Sequence, residues 1–193
     1  MEFKETITKE ELSEMPTQHF EGEIIVINRP EEVDRAVQYL NEFAFLGFDT
    51  ETRPSFKKGE VHKVALLQLS TNEKAFIFRL SQFDLTNSLI KLLSNPKIAK
   101  AGAAIRDDIK ALQINRHFKP AGFVELQDVA QKLGINSFSL KKMSAIVLGF
   151  KISKAQQLSN WEAPELNEPQ LIYAATDAWI SYKLYEEFIK AQQ

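Results

Sequence analysis

The sequence predicts an α/β fold built on a mixed sheet, part antiparallel and part parallel, with helices covering it. Three observations carry that prediction. Short apolar runs of strand length recur along the chain, two of them meet at the tight turn Thr71-Asn72-Glu73, and the later runs alternate with stretches of helical spacing. At 193 residues the chain has the size of one domain with a substantial core rather than of two small ones.

Thr8-Lys9-Glu10-Glu11 is a capping-box pattern that opens a short helix before Pro16, and residues 1–20 read as an arm packed on a domain of residues 21–193. Glu23 to Ile27 reads as a strand. Pro30 opens a helix through about Phe43, with Val33, Ala36, Val37 and Leu40 at helical spacing. Ala44 to Glu51 is a strand buried on both faces along its apolar part, and Pro54 to Glu60 is a polar loop. Val64 to Ser70 and Lys74 to Leu80 form a hairpin. A helix from about Leu85 to Leu93 stops at Asn95-Pro96, Ile98 to Ala103 is a short strand, and a helix runs from about Ile105 to Ile114. Phe123 to Leu126 supplies a fifth core strand, with a helix following Asp128. Ser139 to Phe150 is an amphipathic helix, Lys151 to Pro169 is irregular, and a long helix starts after Asn167 and runs to the C-terminus.

Composition removes several chemistries. With no cysteine there is no disulfide, thiolate nucleophile, Cys-ligated zinc or iron–sulfur cluster, which suits a reducing compartment. Met1-Glu2-Phe3-Lys4-Glu5 is too polar for a secretory signal, and no apolar run approaches the ~18 residues of a membrane span. A cytoplasmic location without membrane association is the expectation. The formal charge of −2 argues against a general polyanion binder. Setting aside four carboxylates for a metal site leaves 24 basic against 22 acidic residues, so net charge decides nothing about a nucleic-acid partner. No glycine-rich phosphate loop and no serine-nucleophile pattern is present.

The candidate chemistry lies in acids. Asp49 and Glu51 end an apolar strand two residues apart, so both carboxylates project from one face. No Lys or Arg shares positions 47, 49 or 51, and unpaired charges are costly to bury without a partner or a cation. Asp107 and Asp108 fall in the first turn of the helix that follows Ala101-Gly102-Ala103-Ala104, where acids also simply favour the helix dipole. Tyr173 and Asp177 lie four apart on one face of the last helix, among alanines that leave room for a sheet. A polar pair bonded to itself explains them equally well in isolation. Together these segments make a cluster of four carboxylates, an all-oxygen donor set that suits Mg²⁺ or Mn²⁺ over zinc. With two ions ~3.5–4 Å apart such a cluster supports in-line displacement at phosphorus. Tyr173 suits the orientation of an attacking water better than proton abstraction, because a phenol titrates near ~10.

Phe48-Asp49-Thr50-Glu51-Thr52, the Ala101-Gly102 to Asp108 segment and Tyr173-Ala174-Ala175-Thr176-Asp177-Ala178 resemble the three exonuclease motifs of the DEDD superfamily. The Tyr-x-x-x-Asp spacing resembles the DEDDy branch, which includes ribonuclease D and the Werner-type exonucleases; the alternative His form needs a histidine where Ile172 stands. The run Lys63 to Leu69 and the segment Ser159-Asn160-Trp161 add to a likeness covering about residues 22 to 190. It implies a ribonuclease H-like fold and metal-dependent 3′→5′ exonucleolysis of a DNA or RNA 3′ end, releasing nucleoside monophosphates. By the same resemblance Asp49, Glu51, Asp108 and Asp177 are the metal ligands for two Mg²⁺ or Mn²⁺ ions, and Tyr173 is the water-positioning residue. Asp108 is preferred to Asp107 by its distance from Gly102. A catalytically silent nucleic-acid-binding domain of the same fold is the competing reading.

Thr52, Lys154 and Trp161 are the candidate substrate contacts. Trp161 either stacks on a base or caps the core, and the core is the commoner place for it. Lys57, Lys58, His62 and Lys63 flank the loop after the first motif, and Lys141, Lys142, Lys151 and Lys154 precede the third; solvated surface explains them as readily as phosphate contact.

Overall fold

The computed structural model describes residues 2–55, 59 and 62–193. Lys57 and Lys58, weighed above for phosphate contact, lie outside the described residues. Among the described residues six strands form one sheet: β1 (Glu23–Ile27), β2 (Phe45–Thr52), β3 (Val64–Ser70), β4 (Lys74–Arg79), β5 (Ala99–Gly102) and β6 (Phe123–Glu125), in the order β1-β4-β3-β2-β5-β6. The hairpin signal holds, since β3 runs antiparallel to both β2 and β4 while the remaining pairs are parallel. A central antiparallel strand inside a parallel sheet leaves the carboxyl ends of β2 and β4 on one edge, and β2 lies mid-sheet.

The helices are α1 (Lys9–Glu14), α2 (Val33–Leu40), α3 (Asn87–Leu93), α4 (Ile105–Asn115), α5 (Leu126–Lys132), α6 (Leu140–Leu148) and α7 (Glu168–Ala191). Helices α2 and α5 differ from expectation at their ends. Pro30–Glu32 is a 3-10 turn and α2 ends at Leu40, beyond which Glu42 and Phe43 donate to carbonyls only three residues back. Helix α5 starts two residues before Asp128, because the Glu125 side chain caps it by accepting from the Gln127 N–H.

Helices α2, α3 and α4 bury one sheet face through Val37, Leu40, Leu89, Leu93 and Leu112 against Phe48, Leu67 and Phe78. Helix α7 covers the other, with Ile180, Leu184 and Phe188 meeting α5 and α6 and Ala174 and Ala175 lying over Leu66 and Ile77. Burial on both sides explains why β3 is largely apolar, with all seven of its residues buried, Gln68 and Ser70 among them. Helix α7 sits directly on β2 at Gly47: a Cβ there would stand 1.8 Å from the Ala178 carbonyl oxygen and 2.7 Å from the Tyr182 nitrogen. The residues before β1 run along α6 and α7. Thr17 bridges to Lys151, and the Phe20 N–H donates to Thr176 Oγ1 at 3.0 Å.

Lys100 is wholly buried, its ammonium donating to the carbonyls of Leu92, Asn95 and Ile98 at 3.3, 2.7 and 2.8 Å. It closes the C-terminal end of α3 onto β5, and burial pushes its pKa down to about 8.

Candidate active site

Strand alternation does the first step of assembly. Gly47 faces α7, so Asp49 and Glu51, at two and four residues further along, face it too. Asp177 precedes Ala178, the residue whose carbonyl lies over Gly47, and its buried carboxylate meets the same patch. The carboxylates of Asp49, Glu51 and Asp177 each offer an oxygen within 4.8 Å of the others. They open into a cleft of about 320 Å³ whose walls include Ala104, Gln127, Lys141, Lys154 and Tyr173. A register shift between Glu51 and Thr52 ends the regular pairing of β2 with β3 at this point.

The fourth acid arrives differently. Thr50 lies between the two strand acids and so faces the opposite side of the sheet, where its hydroxyl donates to Asp108 Oδ1 at 2.7 Å. The expected cluster of four is thus three carboxylates together with a fourth held beside them through Thr50. Asp107 points to solvent and pairs with Lys110 at 2.9 Å, whereas Asp108 is half-buried. The Thr50 contact was missed from sequence, although its place between two acids of one face was the available signal.

Electrostatics make this an unsatisfied site. Burial pushes Glu51 up to about 9, with Asp177 and Asp108 adding repulsion. Burial also lifts Asp49 well above the carboxylate range, beside Asp177, Glu51 and Asp108. Asp177 rises to about 7 by burial, opposed by the Tyr173 hydroxyl and the Lys154 charge, and Asp108 rises to about 6 by burial, opposed by Thr50. A set of crowded, oxygen-only donors fits a hard divalent cation, which removes both the repulsion and the desolvation cost.

A stability signature follows. These carboxyls bind protons more tightly folded than unfolded, so without metal their contribution falls as pH rises from their ordinary 3.8–4.5 toward about 9. Thermal unfolding in chelator should show Asp177→Asn more stable than wild type at pH 8, by about 1–2 kcal/mol, with the gap closing at pH 5. Mg²⁺ should raise the wild-type Tm at pH 8 and leave the variant nearly unmoved.

The Tyr173 hydroxyl counters the rise of the Asp177 carboxyl, and burial beside the acids pushes the Tyr173 pKa up. The ring of Trp161 lies 5.8 Å from that of Tyr173. Trp161 is fully buried in the cluster with Leu66, Ala174 and Ala175, the core placement weighed for it from sequence. Its segment is pinned by the buried Arg79, which donates to the carbonyls of Ala163 and Pro164. Thr52 is half-buried past the register shift and is not among the described residues lining the cleft. Lys154 and Lys141 line the cleft, whereas the Lys151 ammonium donates to the Ser13 carbonyl and is tied to the N-terminal segment. His62 approaches Glu162 at 3.6 Å, and Arg53 pairs with the same acid at 3.3 Å.

Residues 24–192 match the family model described as 3'-5' exonuclease. The chain is 36% identical over 154 residues to the mouse bifunctional 3'-5' exonuclease/ATP-dependent helicase WRN, a match covering 77% of this chain and 11% of that protein. Among solved structures, the Nibbler EXO domain of Aedes aegypti superposes with a TM-score of 0.81 at 20% identity, covering 90% of this chain and 92% of that one. The Trypanosoma brucei RNase D in complex with RNA U12 superposes with a TM-score of 0.78 at 21% identity, covering 88% and 63%. The two structural likenesses give the fold, which is ribonuclease H-like. No helix among the described residues is long and apolar enough to cross a membrane. With its family model matched over nearly the whole chain, the protein belongs to the 3'-5' exonuclease family.

Proposed function

We propose that the chain is a DEDDy-type 3′→5′ exonuclease that hydrolyses phosphodiester bonds from a nucleic-acid 3′ end and releases nucleoside 5′-monophosphates. The observation that carries this reading is the convergence of Asp49, Glu51 and Asp177 within 4.8 Å in a cleft, with Asp108 beside them. Those four acids would hold two Mg²⁺ or Mn²⁺ ions, which supply a lowered pKa for water and neutralise charge on the departing oxygen.

The remaining work falls to the chain's own side chains. The raised pKa of Tyr173 keeps its hydroxyl protonated at neutral pH, so it serves as a donor that orients water and steadies Asp177 rather than as a base. Lys141 and Lys154, on the cleft wall, meet backbone phosphate. Residues 1–20 form an arm against a catalytic domain of residues 21–193, tied to it by the Thr17–Lys151 bridge. Tyr173→Phe should lower kcat by about 10–100-fold and weaken Mn²⁺ binding, because Asp177 loses the hydroxyl that favours its ionised form while the ring packing on Trp161 survives.

The RNA bound to the trypanosomal neighbour supports a nucleic-acid substrate. Digestion of 5′-labelled DNA and RNA with Mg²⁺, Mn²⁺ or chelator tests the reading. The expected result is a ladder that shortens from the 3′ end and stops in chelator. Digestion that persists in chelator contradicts it, and absence of digestion of either polymer makes the chain a silent nucleic-acid-binding module.

A further inference from the structure

Helix α4 begins on Ala104, whose φ of 60° and ψ of 33° lie in the left-handed region. Among the described residues it is the only non-glycine there. Alanine carries no capping side chain, and its Cβ makes that backbone conformation unfavourable. Another part of the chain must hold the turn.

Glu125 does so. Its Oε1 accepts from the Ala104 N–H at 2.8 Å and its Oε2 from the Ile105 N–H at 2.9 Å. The Gln127 N–H also donates to Oε1, at 3.2 Å, so one carboxylate ties together the first turns of α4 and α5. Sheet register sets Glu125 beside Gly102, where a Cβ would stand 2.6 Å from the Phe48 carbonyl oxygen and 2.6 Å from Ile105 Cγ2. The turn from β5 into α4 is therefore pressed against β2 on one side and clamped by Glu125 on the other. Asp108 sits four residues past Ala104, and the heading of that first turn decides where its carboxylate meets Thr50.

We propose that Glu125 is the positioning residue for Asp108: by holding the strained Ala104–Ile105 turn, it fixes the Asp108 carboxylate against Thr50 and beside the three-acid cluster. This rests on the reading of Asp108 as a metal ligand. Glu125 does not line the cleft among the described residues; it reaches the site through the turn, with its charge adding repulsion at Asp108.

The test is an Mn²⁺ titration followed by electron paramagnetic resonance, together with kcat, KM and Tm, on Glu125→Gln, Thr50→Val and Glu125→Gln/Ala104→Gly. An amide keeps one acceptor and presents a donor to the other N–H, so Glu125→Gln should weaken Mn²⁺ binding and lower kcat by about 10–100-fold with KM unchanged. Ala104→Gly removes the penalty of the left-handed turn and should recover most of that loss. Thr50→Val breaks the far end of the same linkage without touching the cap of α4, and should weaken Mn²⁺ binding. Wild-type Mn²⁺ binding in both Glu125→Gln and Thr50→Val overturns the proposal, as does a loss in Glu125→Gln that Ala104→Gly leaves unrelieved while restoring Tm. Because Mn²⁺ binding is read without substrate, a wild type that digests nothing would sink the exonuclease reading and leave this test standing.

Discussion

Asp49→Asn is expected to remove divalent-dependent digestion, with a rate loss of about 10²–10³-fold or more, while the protein becomes more stable in chelator. The opposite signs are the point. Asp49 sits against Glu51 and Asp177, and burial and repulsion hold its carboxyl well above the usual range. A neutral amide of the same shape relieves that strain in the metal-free protein, yet removes a charge from the proposed ligand set. Paired measurements of Tm in chelator and of nuclease rate in Mg²⁺ check it. A variant that loses both activity and stability would mark Asp49 as a structural residue instead.

Gly47→Ala should damage the fold and the site together. The added methyl would stand 1.8 Å from the Ala178 carbonyl oxygen and 2.7 Å from the Tyr182 nitrogen, both backbone atoms of α7. No rotamer change relieves such a contact, so α7 must move off β2 and carry Asp177 with it. Overpacking of this kind costs about 1–3 kcal/mol, which thermal unfolding would show as a Tm fall of roughly 2–4 °C for each kcal/mol. Mn²⁺ binding should weaken in the same variant even at temperatures where it remains folded. Unchanged metal binding would separate the α7–β2 spacing from the site.

Much of this was legible because it is local. The apolar run that ends in Asp49-Thr50-Glu51 gives a buried strand with two acids on one face, and the Thr8 capping box and Asn167 mark the starts of α1 and α7. Asp177 among alanines announces a helix face too close to a sheet for bulk. What sequence hid depends on contacts between distant segments. Gly47 looks like one more small residue until α7 is seen crossing it. Glu125 gives no local sign that its carboxylate caps two helices, and its role moved the start of α5 ahead of the expected Asp128. Lys100 in a strand reads as polar, whereas its ammonium is buried on three carbonyls that a local pattern cannot place. Trp161 lies in an irregular polar stretch, and only the packing of Arg79 and Tyr173 around it shows that its ring is enclosed.

The most direct measurement is a crystal soaked in Mn²⁺ and read by anomalous scattering at the cleft. Two peaks are expected, one among the carboxylates of Asp49, Glu51 and Asp177 and one on the Asp108 side of Asp49, both lost in Asp49→Asn. A cleft without peaks at Mn²⁺ concentrations that support digestion, or peaks that survive Asp49→Asn unchanged, would contradict it.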